Sequence, residues 1–184
     1  MFIRPKGKIL SRSIASVLLL LLIAWIFTSK DILVNQTQIF QVKAGSSIGE
    51  VAQELSEKKI IKSKSFFTTL SKLMNANKKL KSGYYELKPN TSVLTFIDQI
   101  SRGDTLKTKI TLIEGKTIQY YFDQLSKDPS ITSNSSFDQI MNSIGVDKPF
   151  DGWFYPETYI FNYGESIENV LMKSHETMKF KLSQ

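Results

Sequence analysis

No cysteine occurs in the 184 residues, which removes disulfide frameworks, cysteine-ligated zinc and thiol nucleophiles together. Its absence is compatible with an oxidising compartment outside the cytoplasm. Histidine occurs once, as His175, and one imidazole without thiols argues against a zinc centre. No glycine-rich phosphate cradle is present, since Gly45 and Gly49 lack the surrounding pattern, and nothing else calls for a cofactor. Acidic residues are the minority charge, 17 against 24 basic ones, for a net charge of +7. Such an excess suggests nucleic acid, but its placement argues otherwise. Arg4, Lys6, Lys8, Arg12 and Lys30 lie in or beside one apolar segment, and without them the basic residues fall close to the acidic count. Nucleic acid is therefore not expected as a partner. Hydrophobic residues at 41% and charged residues at 22% are ordinary for a globular chain and exclude wholesale disorder.

What is present begins with that apolar segment. Ser13 to Ser29 carries no charge and centres on the run from Val17 to Ile23. At about 1.5 Å per residue it spans roughly 25 Å as a helix, the short end of what a bilayer requires. Basic residues concentrate before it, and Trp25 sits near its far end, where an indole suits the interface. The expectation is a short basic cytoplasmic tail over 1–12, one transmembrane helix over 13–30, and everything afterwards outside the cytoplasm. A cleaved signal peptide is the alternative, but Trp25, Ile26 and Phe27 follow Ala24 where a small-residue cleavage pattern would stand.

The remainder reads as α+β. Phe40-Gln41-Val42-Lys43-Ala44-Gly45-Ser46-Ser47-Ile48 matches Tyr85-Glu86-Leu87-Lys88-Pro89-Asn90-Thr91-Ser92-Val93. Each is an alternating strand, a turn, a hydroxyl residue and the start of a helix. Ser47 and Glu50 form a capping box, and Gly103 stands where a helix C-cap belongs. Ile110 to Thr117 opens a third, looser version, with Ile118, Phe122 and Leu125 as its helix face. Ser65 to Asn75 places Phe66, Phe67, Leu70, Leu73 and Met74 at helical spacing. Two good copies do not make a solenoid, so a small α+β domain over 35–108 is expected. A polar connector follows from Lys127 to Ser136, then a short helix from Phe137 to Ile144 that Asp147-Lys148-Pro149 ends. Apolar positions from Glu165 to Leu182 predict an amphipathic helix.

The densest constellation is Asp151-Gly152-Trp153-Phe154-Tyr155-Pro156-Glu157-Thr158-Tyr159. Aromatic faces stack on sugar rings and carboxylates accept from sugar hydroxyls, so the segment suits a glycan cleft. Equally, it can be a turn and strand in which Trp153, Tyr155 and Tyr159 bury area. The candidate substrate-binding residues are Asp151, Trp153, Tyr155, Glu157 and Tyr159; no metal ligand is expected.

This segment resembles the Glu-Gly-Trp/Tyr-Leu/Phe-Phe/Trp-Pro-Asp/Glu-Thr-Tyr/Trp signature of the YceG-like endolytic murein transglycosylases, with Asp151 shorter than the usual Glu by one methylene. The resemblance extends to the basic tail and apolar segment, to the strand-turn-helix unit that the family uses as a LysM-like subdomain, and to Lys81-Ser82-Gly83-Tyr84-Tyr85 and Leu112-Ile113-Glu114-Gly115. It implies a LysM-like α+β subdomain over 35–108 and the first part of a mixed α/β catalytic domain over 109–184. It also implies a single-pass cell-membrane protein that cleaves nascent peptidoglycan strands, terminates their elongation and leaves 1,6-anhydromuramic ends, with peptidoglycan synthases as partners. The family's catalytic glutamate belongs to an Ala-Ser-Ile-Ile-Glu-Lys-Glu-like helix that is not found up to Gln184. The chain is thus expected to stop before its catalytic residue.

Such an enzyme needs one carboxyl held protonated near neutral pH to donate to the glycosidic oxygen. The muramic acid's own 6-hydroxyl then closes the ring, so no second carboxylate nucleophile is required. Asp151 and Glu157 are read as contacting glycan or shaping the cleft, Glu114 as a turn residue, and His175 as solvated. The other readings are a non-catalytic, membrane-tethered peptidoglycan-binding or scaffold protein, and a single-pass protein with no glycan role whose aromatic segment is merely core.

Overall fold

A computed structural model describes residues 16–19, 22, 34–76 and 79–184. Residues 16–19 and 22 are helical, and the rest of the expected span over 13–30 lies outside the described residues. Among the described residues no helix is long and apolar enough to cross a membrane. The architecture is mixed α+β, with small two-stranded sheets.

In the first lobe the order is β1 (Gln38–Val42), α1 (Ile48–Glu57), α2 (Lys64–Leu73), β2 (Gly83–Leu87) and α3 (Val93–Arg102). Phe40 and Val42 alternate inward on β1, as do Tyr85 and Leu87 on β2, the period-two pattern of a sheet with one buried face. The strands pair antiparallel with Phe40 opposite Tyr85. Each helix begins where a hydroxyl satisfies an orphan N–H of the first turn. Ser47 accepts from Glu50, Ser63 from Phe66 and Ser92 from Thr95. The capping box at Ser47 is closed by the Glu50 carboxylate, which accepts from the Ser47 N–H at 2.7 Å; those bonds hold the Glu50 pKa below its ordinary value. Phe96 of α3 is the centre of the core. It meets Phe40 and Tyr85 edge-on at 6.1 and 6.2 Å and Phe67 at 6.3 Å. The helix expected over 65–75 ends earlier, at Leu73. Leu73 is 78% exposed and Met74 36%, so these two do not join the core face formed by Phe67 and Leu70.

The second lobe runs β3 (Lys107–Thr111), α4 (Ile118–Lys127), β4 (Ile131–Thr132), α5 (Phe137–Ile144), β5 (Thr158–Asn162), β6 (Glu165–Ser166) and α6 (Ile167–Leu182). β3 pairs antiparallel with β5, Ile110 opposite Tyr159, and the short β4 and β6 pair in parallel. Its hydrophobic core is separate from the first. The expected polar connector is ordered, and its polar groups are the reason. Asp128 Oδ1 accepts from both the N–H and the hydroxyl of Ser130, at 2.8 and 2.6 Å, and the Ser130 carbonyl accepts from Gly164 N–H at 2.7 Å. α6 starts at Ile167 because Ser166 is its N-cap.

The two lobes share one plan, strand-helix-helix-strand-helix, to which the second adds the short β4 and β6. The inward pairs Phe40/Val42, Tyr85/Leu87, Ile110/Leu112 and Tyr159/Phe161 are each followed by a left-handed residue, Gly45, Asn90, Gly115 and Gly164. Next come the caps Ser47, Ser92, Thr117 and Ser166. The fourth unit, Tyr159 to Ile167, was hidden in the sequence because its strand overlaps the aromatic signature. The likeness reaches individual hydrogen bonds. Tyr85 Oη donates to the Lys81 carbonyl and Tyr159 Oη to the Tyr155 carbonyl, both at 2.8 Å. Lys81 N–H donates to Ile100 O and Tyr155 N–H to Ser174 O, at 3.1 and 3.2 Å.

Leu106 joins the lobes. Its N–H donates to Tyr84 O at 2.7 Å, and its carbonyl accepts from Tyr163 N–H at 2.8 Å. The Tyr84 ring packs on Tyr163 at 5.2 Å and over Gly164. A Cβ at Gly164 would collide with that ring, and φ there is +84°; both facts require glycine.

Candidate functional site

The aromatic signature forms the loop between α5 and β5, and its residues divide between a pocket, a helix and the core. Asp151 reaches across to the start of α4, where its Oδ1 accepts from Ile118 N–H at 2.8 Å. Thr117, the local cap, accepts from Tyr120 N–H at 3.3 Å. The helix thus receives two acceptors, one local and one from the distant loop, and the negative charge of Asp151 sits at the favourable end of its dipole. Gly152 adopts φ +87°, which turns the chain so that Trp153 and Phe154 diverge.

Trp153 is 40% exposed, and its indole N–H donates to the Pro149 carbonyl at 3.1 Å. Phe154 is buried. Between the two rings stands His175, at 5.8 Å from Trp153 and 5.9 Å from Phe154. The expectation of a solvated histidine is corrected here: His175 is 3% exposed, and its Nδ1 lies 2.9 Å from the Trp153 carbonyl. A carbonyl only accepts, so Nδ1 carries the proton. Flanking residues Ser174 and Glu176 suggested solvent, but Ser174 is buried as well. Its hydroxyl donates to the Tyr155 carbonyl at 3.1 Å, so α6 holds residues 153–155 of the loop by consecutive contacts.

Tyr155 is half-buried, with Lys181 Nζ 5.8 Å from its ring centre. The Glu157 side chain is exposed, while its carbonyl accepts from Leu112 N–H at 3.0 Å. Tyr159 is buried and its hydroxyl is occupied by Tyr155. Burial chiefly pushes the Tyr159 pKa up, hydrogen bonds with Thr177 and Ser174 oppose this, and the charges of Glu157 and Tyr155 add to it. Burial likewise raises Tyr121, with smaller contributions from Asp151 and Tyr159. The five candidate residues therefore share one loop and strand but not one surface. Asp151, Trp153 and Glu157 face outward, Tyr155 partly, and Tyr159 inward.

Beside this loop lies a cavity of about 270 Å³, lined by Gly115, Lys116, Ile118, Tyr121, Asp151, Gly152, Phe154, Pro156 and Met178. It has an apolar floor, one carboxylate and one ammonium-bearing side chain, the composition of a small polar-ligand subsite. A wider groove of about 520 Å³ runs along α1 past Lys43, Ser47, Glu50, Gln53, Glu54, Glu57 and Lys64. Its polar groups already bond each other, Gln53 to Glu57 and Lys64 to Gln53, each at 2.6 Å, as on any solvated helix face. Glu114 is exposed in the turn that Gly115 completes. Among the described residues, no three of His, Asp and Glu converge as a metal site would require.

A sequence model of the YceG-like family matches residues 40–184. The chain belongs to the YceG-like family. No curated protein matches it. Among solved structures it is similar to the crystal structure of a yceG-like protein from Listeria monocytogenes, at 22% identity and a TM-score of 0.37. That similarity covers 82% of this chain and 57% of the Listeria chain, so this member of the YceG-like family spans little more than half the length of its solved relative.

Proposed function

We propose that this YceG-like protein is the leading part of a membrane-anchored lytic transglycosylase acting on peptidoglycan strands, and that its second lobe supplies one wall of the glycan cleft. The observation that carries the reading is the signature loop of a YceG-like chain, which lines a cavity of about 270 Å³ with Asp151 and Lys116 in its lining. The apolar run over 13–30 is the anchor in this reading, with the N-terminus cytoplasmic and both lobes at the outer face, where nascent strands leave their synthases.

The reaction begins with protonation of the glycosidic oxygen by a carboxylic acid. The C1–O bond to the leaving sugar breaks, the muramic 6-hydroxyl oxygen bonds to C1, and its proton passes to the resulting carboxylate. Water does not enter, and the product is a 1,6-anhydro end. Asp151 is engaged in capping α4, and the Glu157 side chain is exposed. In this reading the general acid is the glutamate of the family's acidic helix, and Asp151 and Glu157 supply binding and shape.

The test is to express the reading frame extended beyond Gln184 and incubate it with uncrosslinked glycan strands. Mass spectrometry of the products should find new 1,6-anhydromuramic ends. Reducing ends from hydrolysis, or intact strands, would reject the assignment. The 184-residue chain alone should bind strands and leave them uncut.

A further inference from the structure

The duplicated plan of the lobes offers an internal control. Residues 79–101 of the first lobe and 153–175 of the second correspond position by position, through the matched bonds of Tyr85 and Tyr159 and of Lys81 and Tyr155. What both copies share is what the scaffold needs. What only the second copy has calls for another explanation.

Two linked differences stand out. At the position of Trp153 the first lobe has Lys79, exposed to solvent. At the position of His175 it has Ser101, whose hydroxyl simply donates to the Ile97 carbonyl of its own helix at 2.7 Å. The scaffold thus folds without a tryptophan on this corner and without a histidine beneath it. In the second lobe the two occur together. His175 Nδ1 bonds the Trp153 carbonyl, its ring lies against the indole, and Nε2 is buried with no hydrogen-bond partner. A buried imidazole with one ring nitrogen unsatisfied carries a desolvation cost that leucine of similar volume would not. Its presence is therefore not explained by packing. The one thing it does that leucine cannot is fix the Trp153 backbone.

Trp153 is held at a second point by its indole N–H on Pro149, and is still 40% exposed. An aromatic ring immobilised at both ends binds a flat apolar surface without first losing rotamer freedom. The apolar face of a pyranose is such a surface. We propose that Trp153 is a stacking platform for one sugar unit of an N-acetylhexosamine strand, and that His175 is a positioning residue that sets its orientation. This rests on the glycan reading above and gives it a defined subsite at a residue that is not part of the lining of the Asp151 cavity.

The experiment uses the full 184-residue chain in detergent with Trp25→Phe, which leaves Trp153 as the sole indole emitter. The probe is peptide-free glycan strands of alternating N-acetylglucosamine and N-acetylmuramic acid. Titration should change Trp153 emission, and Trp153→Ala, followed by calorimetry, should weaken association roughly tenfold, equivalent to about 1.4 kcal/mol. His175→Leu should weaken it comparably and shift the Trp153 emission to longer wavelength while far-UV circular dichroism stays unchanged. His175→Asn, whose amide can donate from near the Nδ1 position, should restore much of both. Binding by the parent chain that neither Trp153→Ala nor His175→Leu alters overturns the platform and leaves the glycan reading standing. Equal loss in His175→Leu and His175→Asn overturns the positioning role. Absence of binding by the parent chain overturns both readings.

Discussion

Replacing Asp151 separates a structural carboxylate from a chemical one. In Asp151→Ala the Ile118 N–H loses its acceptor at 2.8 Å; Ile118 is 5% exposed, but both residues line the cavity beside the loop, so water replaces part of the lost bond. An unsatisfied buried donor costs about 1–3 kcal/mol. Losing a negative charge at a helix N-terminus adds about 0.3–1 kcal/mol. Thr117 still caps Tyr120 N–H, which holds the sum toward the lower end, about 1.5–3 kcal/mol. For a chain of this size each kcal/mol lowers the melting temperature by about 2–4 °C, so a fall of about 3–12 °C is expected. Asp151→Asn retains an oxygen acceptor and loses only the charge, and should cost less than about 1 kcal/mol. Hydrogen exchange of the peptide covering α4 in the full chain localises the effect: faster exchange in Asp151→Ala, near-parental exchange in Asp151→Asn. If Asp151→Ala melts with the parent, or if the Asn variant is as damaged as the Ala variant, the capping argument is wrong.

Tyr85→Phe and Tyr159→Phe each remove the same hydroxyl-to-carbonyl bond, and each should cost about 1 kcal/mol. Values from thermal melts that differ by more than about 1 kcal/mol would contradict the matched-lobe description. Burial raises the pKa of Tyr85, Tyr121 and Tyr159 above the ordinary 10.0. A raised folded pKa means the unfolded chain loses these protons first, so stability is complete below about pH 10 and declines as pH climbs beyond it. Urea melts across that range should show the decline, and Tyr159→Phe should flatten it. Gly164→Ala places a Cβ against the Tyr84 ring at φ +84° and should destabilise by about 2 kcal/mol or more. Tyr84→Ala in the same chain should recover part of that loss, and strict additivity in the double mutant would remove Tyr84 as the cause.

Much of the fold was legible because it is local. A serine or threonine ahead of an apolar run at helical spacing is a complete instruction for a helix start, and Ser47, Ser92 and Thr117 act as such caps. The alternation in β1 and β2 and the likeness of their units could be read because period two and a left-handed turn residue leave marks within nine residues. The YceG-like signature was legible for a similar reason, being contiguous. Where spacing misled, the element had reached its end. Leu73 keeps helical spacing with Leu70, yet the helix ends there and leaves it in solvent.

By itself, then, the sequence determined β1, β2, most of the helices, the caps Ser47, Ser92 and Thr117 and the family to which the chain belongs, since all of these rest on residues a few positions apart. Only the tertiary structure decided what the signature residues do. Asp151 caps a helix that begins 33 residues earlier, and His175 lies beneath a tryptophan 22 residues before it. No periodicity encodes such partners, because they are fixed by how β5 and α6 pack across the second core. The same packing set Ile110 opposite Tyr159 as Phe40 stands opposite Tyr85. It thereby revealed a second copy of the first lobe in a stretch whose aromatic residues had drawn attention away from its strand.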